Sequence, residues 1–372
     1  MTNLEQTEIP RVVSQPKVYL PQQNGFQEQK NGLSCVEQIE PLKPNQTVQI
    51  LCDIDHSLID LPSKESPQSV AAKVNILNQH LLQWSNQTNK QIIFSLLTQK
   101  PNLVFTNEET APIYAPLLNI NSIRKGKSAN QDCLVTIPVS HVYCELGAVT
   151  HINDPFTGET QVKIDAAYQP TQKLVQDLSV ILQEHFCAPF ENSPAKFRLE
   201  PGNIAYTSLQ LKDGTPMSEN LKVQTKKQLI DLLTQLNRAD IINAIDFITD
   251  HNDLDCFPHL LTQRAKAIGV HSDIFSKHEQ GYPWFGLKDI VIIDDKSHAA
   301  GKAATEILNQ GGNAITMKNG DQSLKEILNA HQKGYISPHF LFLGVIDGLN
   351  HFFTNKSLTD NQVKKIDQLL TL

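Results

Sequence analysis

Positive charge is scarce in this chain, and so are aromatic rings, paired cysteines and long apolar runs. Lys and Arg number 32 against 39 Asp and Glu, giving a formal net charge of -7 and a pI near 6.0. Affinity for a phosphate backbone rests on clustered Lys and Arg. No basic stripe with interleaved aromatics runs through the sequence, so no nucleic-acid partner is expected. The six cysteines, Cys35, Cys52, Cys133, Cys144, Cys187 and Cys256, lie far apart and none belongs to a C-x-x-C pair. That excludes the usual zinc knuckle and disulfide framework and leaves reduced, buried thiols as the expectation. No apolar run approaches the roughly 18 residues of a membrane span. The start, Met1-Thr2-Asn3-Leu4-Glu5, lacks the charged-then-apolar pattern of a secretory signal. A soluble, cytoplasmic protein is the expectation. None of the 13 histidines falls in an H-E-x-x-H spacing, and no internal repeat is visible.

What is present is an α/β pattern. At 372 residues the chain exceeds the roughly 250 to 300 residues at which single cores stop growing, so two domains are expected. Residues 1–45, rich in Gln, Asn, Pro and Glu, read as a polar N-terminal arm with too little apolar surface to offset the entropy of ordering. An apolar run at about 48–53, a helical spacing from Val70 to Leu82 and a second run at Gln91–Thr98 make strand, helix, strand. That is the right-handed crossover of a parallel sheet. Residues 155–250 change to alternating, Pro- and Gly-punctuated segments with one helical stretch at Leu221–Leu236, a candidate α+β insertion. The strand and helix alternation resumes with a third apolar run at Asp289–Asp295 and a helix at Ala299–Leu308 stopped by Gly311-Gly312. The predicted organisation is a core of 46–154 and 251–345, an insertion at 155–250, and a C-terminal helical segment at 346–372.

The chemistry is written at the strand ends. Val48-Gln49-Ile50-Leu51-Cys52 stops abruptly at Asp53-Ile54-Asp55, and Ile290-Val291-Ile292-Ile293 stops at Asp294-Asp295. Open α/β sheets bind their ligands at the C-terminal ends of strands. Carboxylates brought together there repel one another unless a cation sits between them. The second strand ends at Thr98, with Ser95 three residues inside the apolar run as the competing hydroxyl.

The order and residue types of these strand ends resemble the haloacid dehalogenase superfamily of phosphotransferases. Its motifs are an apolar strand ending Asp-x-Asp, a strand ending in Thr or Ser, a Lys or Arg, and a strand ending in an acidic pair. The resemblance covers about residues 46–345 and implies a Rossmann-like core with an inserted α+β cap. It implies Asp53 as the nucleophile, Asp55 as general acid and base, and Thr98 as a donor to a phosphoryl oxygen. It further implies Mg²⁺ held by Asp53, the main-chain carbonyl of Asp55, Asp294 and Asp295, an oxygen-only set suited to a small hard cation. Cys144-Glu145-Leu146-Gly147-Ala148 resembles the Glu-Asn-Gly-Ala strand before the C2-type cap of the Cof-like, sucrose-phosphatase and phosphomannomutase branch. Leu254-Asp255-Cys256-Phe257-Pro258 resembles the return to the core. Alignment of Arg264-Ala265-Lys266-Ala267-Ile268 then makes Arg264 the third-motif cation, after a one-residue insertion, with Lys266 or Lys288 as alternatives. Gln99 replaces the family's Gly after Thr98, and Ser297 and His298 stand where Asn and the last Asp would fall. The implied activity is Mg²⁺-dependent hydrolysis of a small phosphorylated substrate such as a sugar phosphate. A phosphoprotein phosphatase, a catalytically weak binding module and an effector secreted into a host cell remain as alternatives.

Overall fold

The computed structural model describes residues 17–22, 25–29, 38–43, 46–55, 57–59, 65–128, 131–139, 141–153, 160–188, 196–249, 253–260, 290–294, 313–316 and 345–354. Strands β1 (Lys17–Gln22), β2 (Gly25–Gln29) and β3 (Gln38–Ile39) precede the first acidic motif. Within the stretch expected as a loose arm, β1 pairs antiparallel with β2 on one side and with residues 134–136 on the other, so part of it joins the sheet.

The first crossover forms where the apolar spacing predicts it. Strand β4 (Thr47–Asp53) is buried at every position up to the half-buried Asp53, as a strand covered on both faces must be. Helix α1 (Pro67–Thr88) starts where the Ser66 hydroxyl accepts from the Ser69 N–H at 3.1 Å, with Pro67 in the first turn. It stops at Asn89, whose left-handed backbone (φ 56°) closes the last turn. Its Val70, Val74, Leu77, Leu81 and Trp84 make one buried stripe against the sheet. Strand β5 (Gln91–Leu97) is buried throughout.

A long loop bearing the four-residue helix α2 (Ala111–Tyr114) leads to β6 (Asn121–Ser128), β7 (Gln131–Pro138), β8 (His141–Cys144), β9 (Val149–Asn153) and β10 (Thr160–Ile164). Next come α3 (Gln169–Leu182), β11 (Phe197–Leu199), β12 (Thr207–Leu211), α4 (Glu219–Gln235), α5 (Ala239–Ala244), β13 (Ile245–Ile248) and β14 (Leu254–Pro258). The described elements end with β15 (Ile290–Asp294), β16 (Asn313–Thr316) and α6 (Val345–Thr354).

The fold is α/β. Five parallel strands run in the order β16, β15, β4, β5, β8, extended by antiparallel β9 and β10. One side of β5 is shared. Its first half meets β6 at Ile92 and Ile123, its last residues meet β8 at Leu96 and Val142, and β6 continues into an antiparallel leaf with β7, β1 and β2. Helix α6 packs on α1, where Trp84 stacks on Phe353 at 5.1 Å and donates its indole N–H to Asn350.

The second sheet is antiparallel, in the order β11, β12, β14, β13. Helices α3, α4 and α5 cover one face through Val175, Leu178, Leu229, Leu233 and Ile241, packed with Leu209, Leu254 and Cys256. From the adjacent strand position, Phe257 joins the core of the large sheet together with Ala205 and Tyr206. Sheet membership changes after Ile164 and again after Pro258, whereas the sequence pattern places the changes at 155 and 250. Leu254–Pro258, read as the return to the core, is an inner strand of the small sheet. A five-residue apolar run is the same signal in either sheet, and only its partners decide between them.

Among the described residues no helix is long and apolar enough to cross a membrane. Cys52, Cys133, Cys144, Cys187 and Cys256 are buried and belong to no disulfide.

Candidate active site

Three adjacent parallel strands deliver the candidate residues to one edge. Asp53 ends β4 opposite Leu97 of β5, and Thr98 follows Leu97 directly. On the other side of β4, Ile293 lies opposite Cys52, so the next residue, Asp294, stands level with Asp53. Parallel pairing turns the C-terminal ends of these strands to one side of the sheet, and in this register each apolar run gives way to polar residues at the same rim.

Local hydrogen bonds shape the loop beyond β4. The Ile54 carbonyl accepts from the N–H groups of Ser57, Leu58 and Ile59, which folds the chain back sharply after the Asp-x-Asp. That turn brings the Ser57 hydroxyl to 3.5 Å from Oδ2 of Asp53. Asp53 and Asp55 are each half-buried. The Asp55 carboxylate has a defined partner, because the Tyr114 hydroxyl donates to its Oδ1 at 2.7 Å. Burial, then Asp55 and Asp53, push the Tyr114 phenol far above its ordinary range, so it stays protonated and donates. The ring is 2% exposed and is met edge-on by Phe105 at 6.2 Å.

Thr98 is buried at the mouth of β5. Its N–H donates to the Tyr143 carbonyl at 2.8 Å, and its hydroxyl accepts from the Lys100 N–H at 3.1 Å. The hydroxyl proton thus remains available for an oxygen beyond the edge. Ser95, the competing hydroxyl, sits within β5 opposite Leu51 and is 2% exposed.

A second acidic residue joins the two sheets. Glu145, wholly buried, adopts a left-handed backbone (φ 49°) in the turn after β8 and accepts from the N–H groups of Ile204 at 2.9 Å and Ala205 at 2.6 Å. Burial pushes its carboxyl up to about 7, against the opposing pull of these amides and that of Tyr206. The Glu145 N–H donates to the Lys100 carbonyl at 3.2 Å, while the single Tyr206 hydroxyl proton is shared between two acceptors within reach, the Gln99 carbonyl at 3.2 Å and Glu200 Oε2 at 3.0 Å. The loop after Thr98, the turn after β8 and the chain entering β12 are therefore stitched together. Gly202 (φ +84°) lets the last of these press on the first: a Cβ there would lie 2.7 Å from the Leu103 side chain. On the same part of the small sheet, burial and the charges of Asp255 and Glu200 push the Asp253 carboxyl up to about 6.

Arg264, Lys266, Lys288, Asp295, His56 and His298 lie outside the described residues, and Asp294 is described by its backbone alone. Asp53 and the main-chain carbonyl of Asp55 are hard oxygen donors of the kind Mg²⁺ prefers. Among the described residues no three His, Cys, Asp or Glu side chains come together to hold a metal ion. Tyr114 and the pinning role of Glu145 carry no sequence signal: their partners are 59 and 60 residues away, and Tyr114 ends a helix of four residues, too short to show periodicity.

No protein-family model matches the chain, and no curated protein matches it. Among solved structures it is similar to the C-terminal domain of Candida albicans trehalose-6-phosphate phosphatase. There the identity is 11%, with 78% of this chain and 94% of that chain covered at a TM-score of 0.37. It is also similar to Plasmodium falciparum IMP-nucleotidase, at 9% identity over 79% of this chain and 65% of that chain, with a TM-score of 0.33. Likeness at this level assigns neither family nor substrate, and the chemistry is read from the residues of the sheet edge.

Proposed function

We propose that the protein is a phosphomonoester hydrolase that uses Asp53 as its nucleophile, with Asp55 as the proton donor and acceptor. The observation that carries this reading is the common C-terminal edge at which parallel β15, β4 and β5 end in Asp294, Asp53 and Thr98. A carboxylate suits nucleophilic attack on phosphorus because the acyl phosphate it forms is readily hydrolysed, splitting one hard displacement into two easier ones. In the first step a carboxylate oxygen of Asp53 bonds to phosphorus, the bond to the leaving oxygen breaks, and Asp55 protonates that oxygen. In the second, water attacks phosphorus, Asp55 takes its proton, and the Asp53 carboxylate is released with inorganic phosphate.

Thr98 donates its hydroxyl to a non-bridging phosphoryl oxygen, and the segment containing Arg264 would supply a cation to another. Asp53, the Asp55 carbonyl, Asp294 and Asp295 would hold Mg²⁺, which when bound offsets the repulsion between carboxylates and substrate. The small sheet, pinned beside the Thr98 loop, would shield the site from water and favour a small phosphorylated metabolite such as a sugar phosphate over a phosphoprotein.

The test is hydrolysis of p-nitrophenyl phosphate and a sugar-phosphate panel, with Mg²⁺ or with EDTA, by the wild type and Asp53→Asn. Metal-dependent turnover that is abolished in the variant is expected. Turnover that survives the substitution would reject Asp53 as the nucleophile, and a wild type inactive on every substrate would leave a binding module as the better account.

A further inference from the structure

We propose that Tyr114 is a positioning residue, reserving Oδ1 of Asp55 so that Oδ2 alone exchanges the proton with substrate. This rests on the phosphatase reading above and adds to it a residue that the strand-end motifs do not contain. The phenol is held on three counts. Its hydroxyl meets Asp55 Oδ1 at 2.7 Å, its ring is 2% exposed, and Phe105 packs edge-on against it, fixing the direction of the hydroxyl.

A half-buried aspartate two residues past a strand end has two free torsions and two equivalent oxygens. Left alone, it would sample several orientations relative to phosphorus. One short hydrogen bond from a rigid donor removes that freedom at the oxygen it engages and leaves the other to exchange the proton. The loop that supplies Tyr114 begins at Thr98, so a single connection between β5 and β6 carries both the phosphoryl-oxygen donor and the group that orients the acid.

Orientation of the acid matters in proportion to how badly the leaving oxygen needs a proton. A p-nitrophenolate departs without one, whereas the alkoxide of a sugar or glycerol phosphate does not. Tyr114→Phe keeps the ring and deletes only the donor. Its kcat/KM, which reports the first chemical step, is expected to fall by about tenfold or more for β-glycerophosphate while changing by less than about twofold for p-nitrophenyl phosphate. A general loss of structure would lower both together.

Asp55→Asn serves as the reference and is expected to show the same selectivity in stronger form. If it does while Tyr114→Phe treats both substrates alike, the positioning role is refuted and the phosphatase reading stands. A wild type inactive on both substrates overturns the phosphatase reading itself. Should Tyr114→Phe fail to fold, Phe105→Leu decides: it keeps the hydroxyl but frees the ring. A selective loss of about threefold on β-glycerophosphate is then expected, and equal effects on the two substrates refute the proposal.

Discussion

Replacing Glu145 with Gln removes an ionisable group from the junction between the two sheets while keeping an oxygen that can accept from Ile204 and Ala205. Burial holds the native carboxyl at about 7 against an ordinary value of 4.5. In the unfolded chain the group loses its proton near 4.5, whereas in the folded protein it keeps it until about 7. Stability from this group is therefore complete below 4.5, declines as pH rises and is lost above 7. At about 1.4 kcal/mol per pH unit the ceiling is roughly 3 kcal/mol, of which about 2.5 kcal/mol falls between pH 5 and pH 8. Urea unfolding followed by tryptophan fluorescence at those two pH values gives the comparison. Asp253, pushed up to about 6, contributes with the same sign in both proteins, so the quantity to read is the difference between wild type and variant. Glu145→Gln is expected to lose about 2 kcal/mol less than wild type on going from pH 5 to pH 8. Equal losses would show that Glu145 is ionised in the folded protein at neutral pH, and the argument from burial would fail.

Two further outcomes follow from the same geometry. Thr98→Val, nearly isosteric, removes the hydroxyl proposed as the phosphoryl-oxygen donor; kcat/KM is expected to fall by about 10- to 100-fold with Thr98→Ser largely restoring it, as steady-state assays of the three proteins would show. Gly202→Ala places a methyl 2.7 Å from Leu103 at a left-handed backbone position. It is expected to cost about 2 to 3 kcal/mol in chemical denaturation, and an unchanged midpoint would mean that the two loops do not press together.

The parallel sheet was legible because its strands are short apolar runs ending in acid or hydroxyl residues, and β4, β5 and β15 fall where those runs are. Helix α1 announced itself through its apolar spacing from Val70 to Leu82, and its start at Pro67 was added by the structure. What the pattern misplaced is instructive. Strand β10 pairs with the large sheet and β14 with the small one, against the expected boundaries, because pairing is a long-range choice that local hydrophobicity does not encode. The polar β1 and β2 escaped notice since their alternation is weak and their stability comes from neighbours such as β7. The common edge of Asp53, Thr98 and Asp294 was readable from the strand ends, whereas the Tyr114 contact was not: a hydrogen bond across 59 residues is decided by where a loop lands.

The contacts among Gln99, Lys100, Glu145 and residues 204–206 form a closed circuit of hydrogen bonds, one between main-chain groups and the others through the Glu145 carboxylate and the Tyr206 hydroxyl. Its mechanical meaning is gearing. A tilt of the small sheet would drag the peptide next to Thr98, so under the proposed function the entry of a substrate and the setting of the threonine hydroxyl would move as one. An open state would present a mis-set phosphate contact, and only the shut one would align it, which would let the protein delay chemistry until its substrate is enclosed.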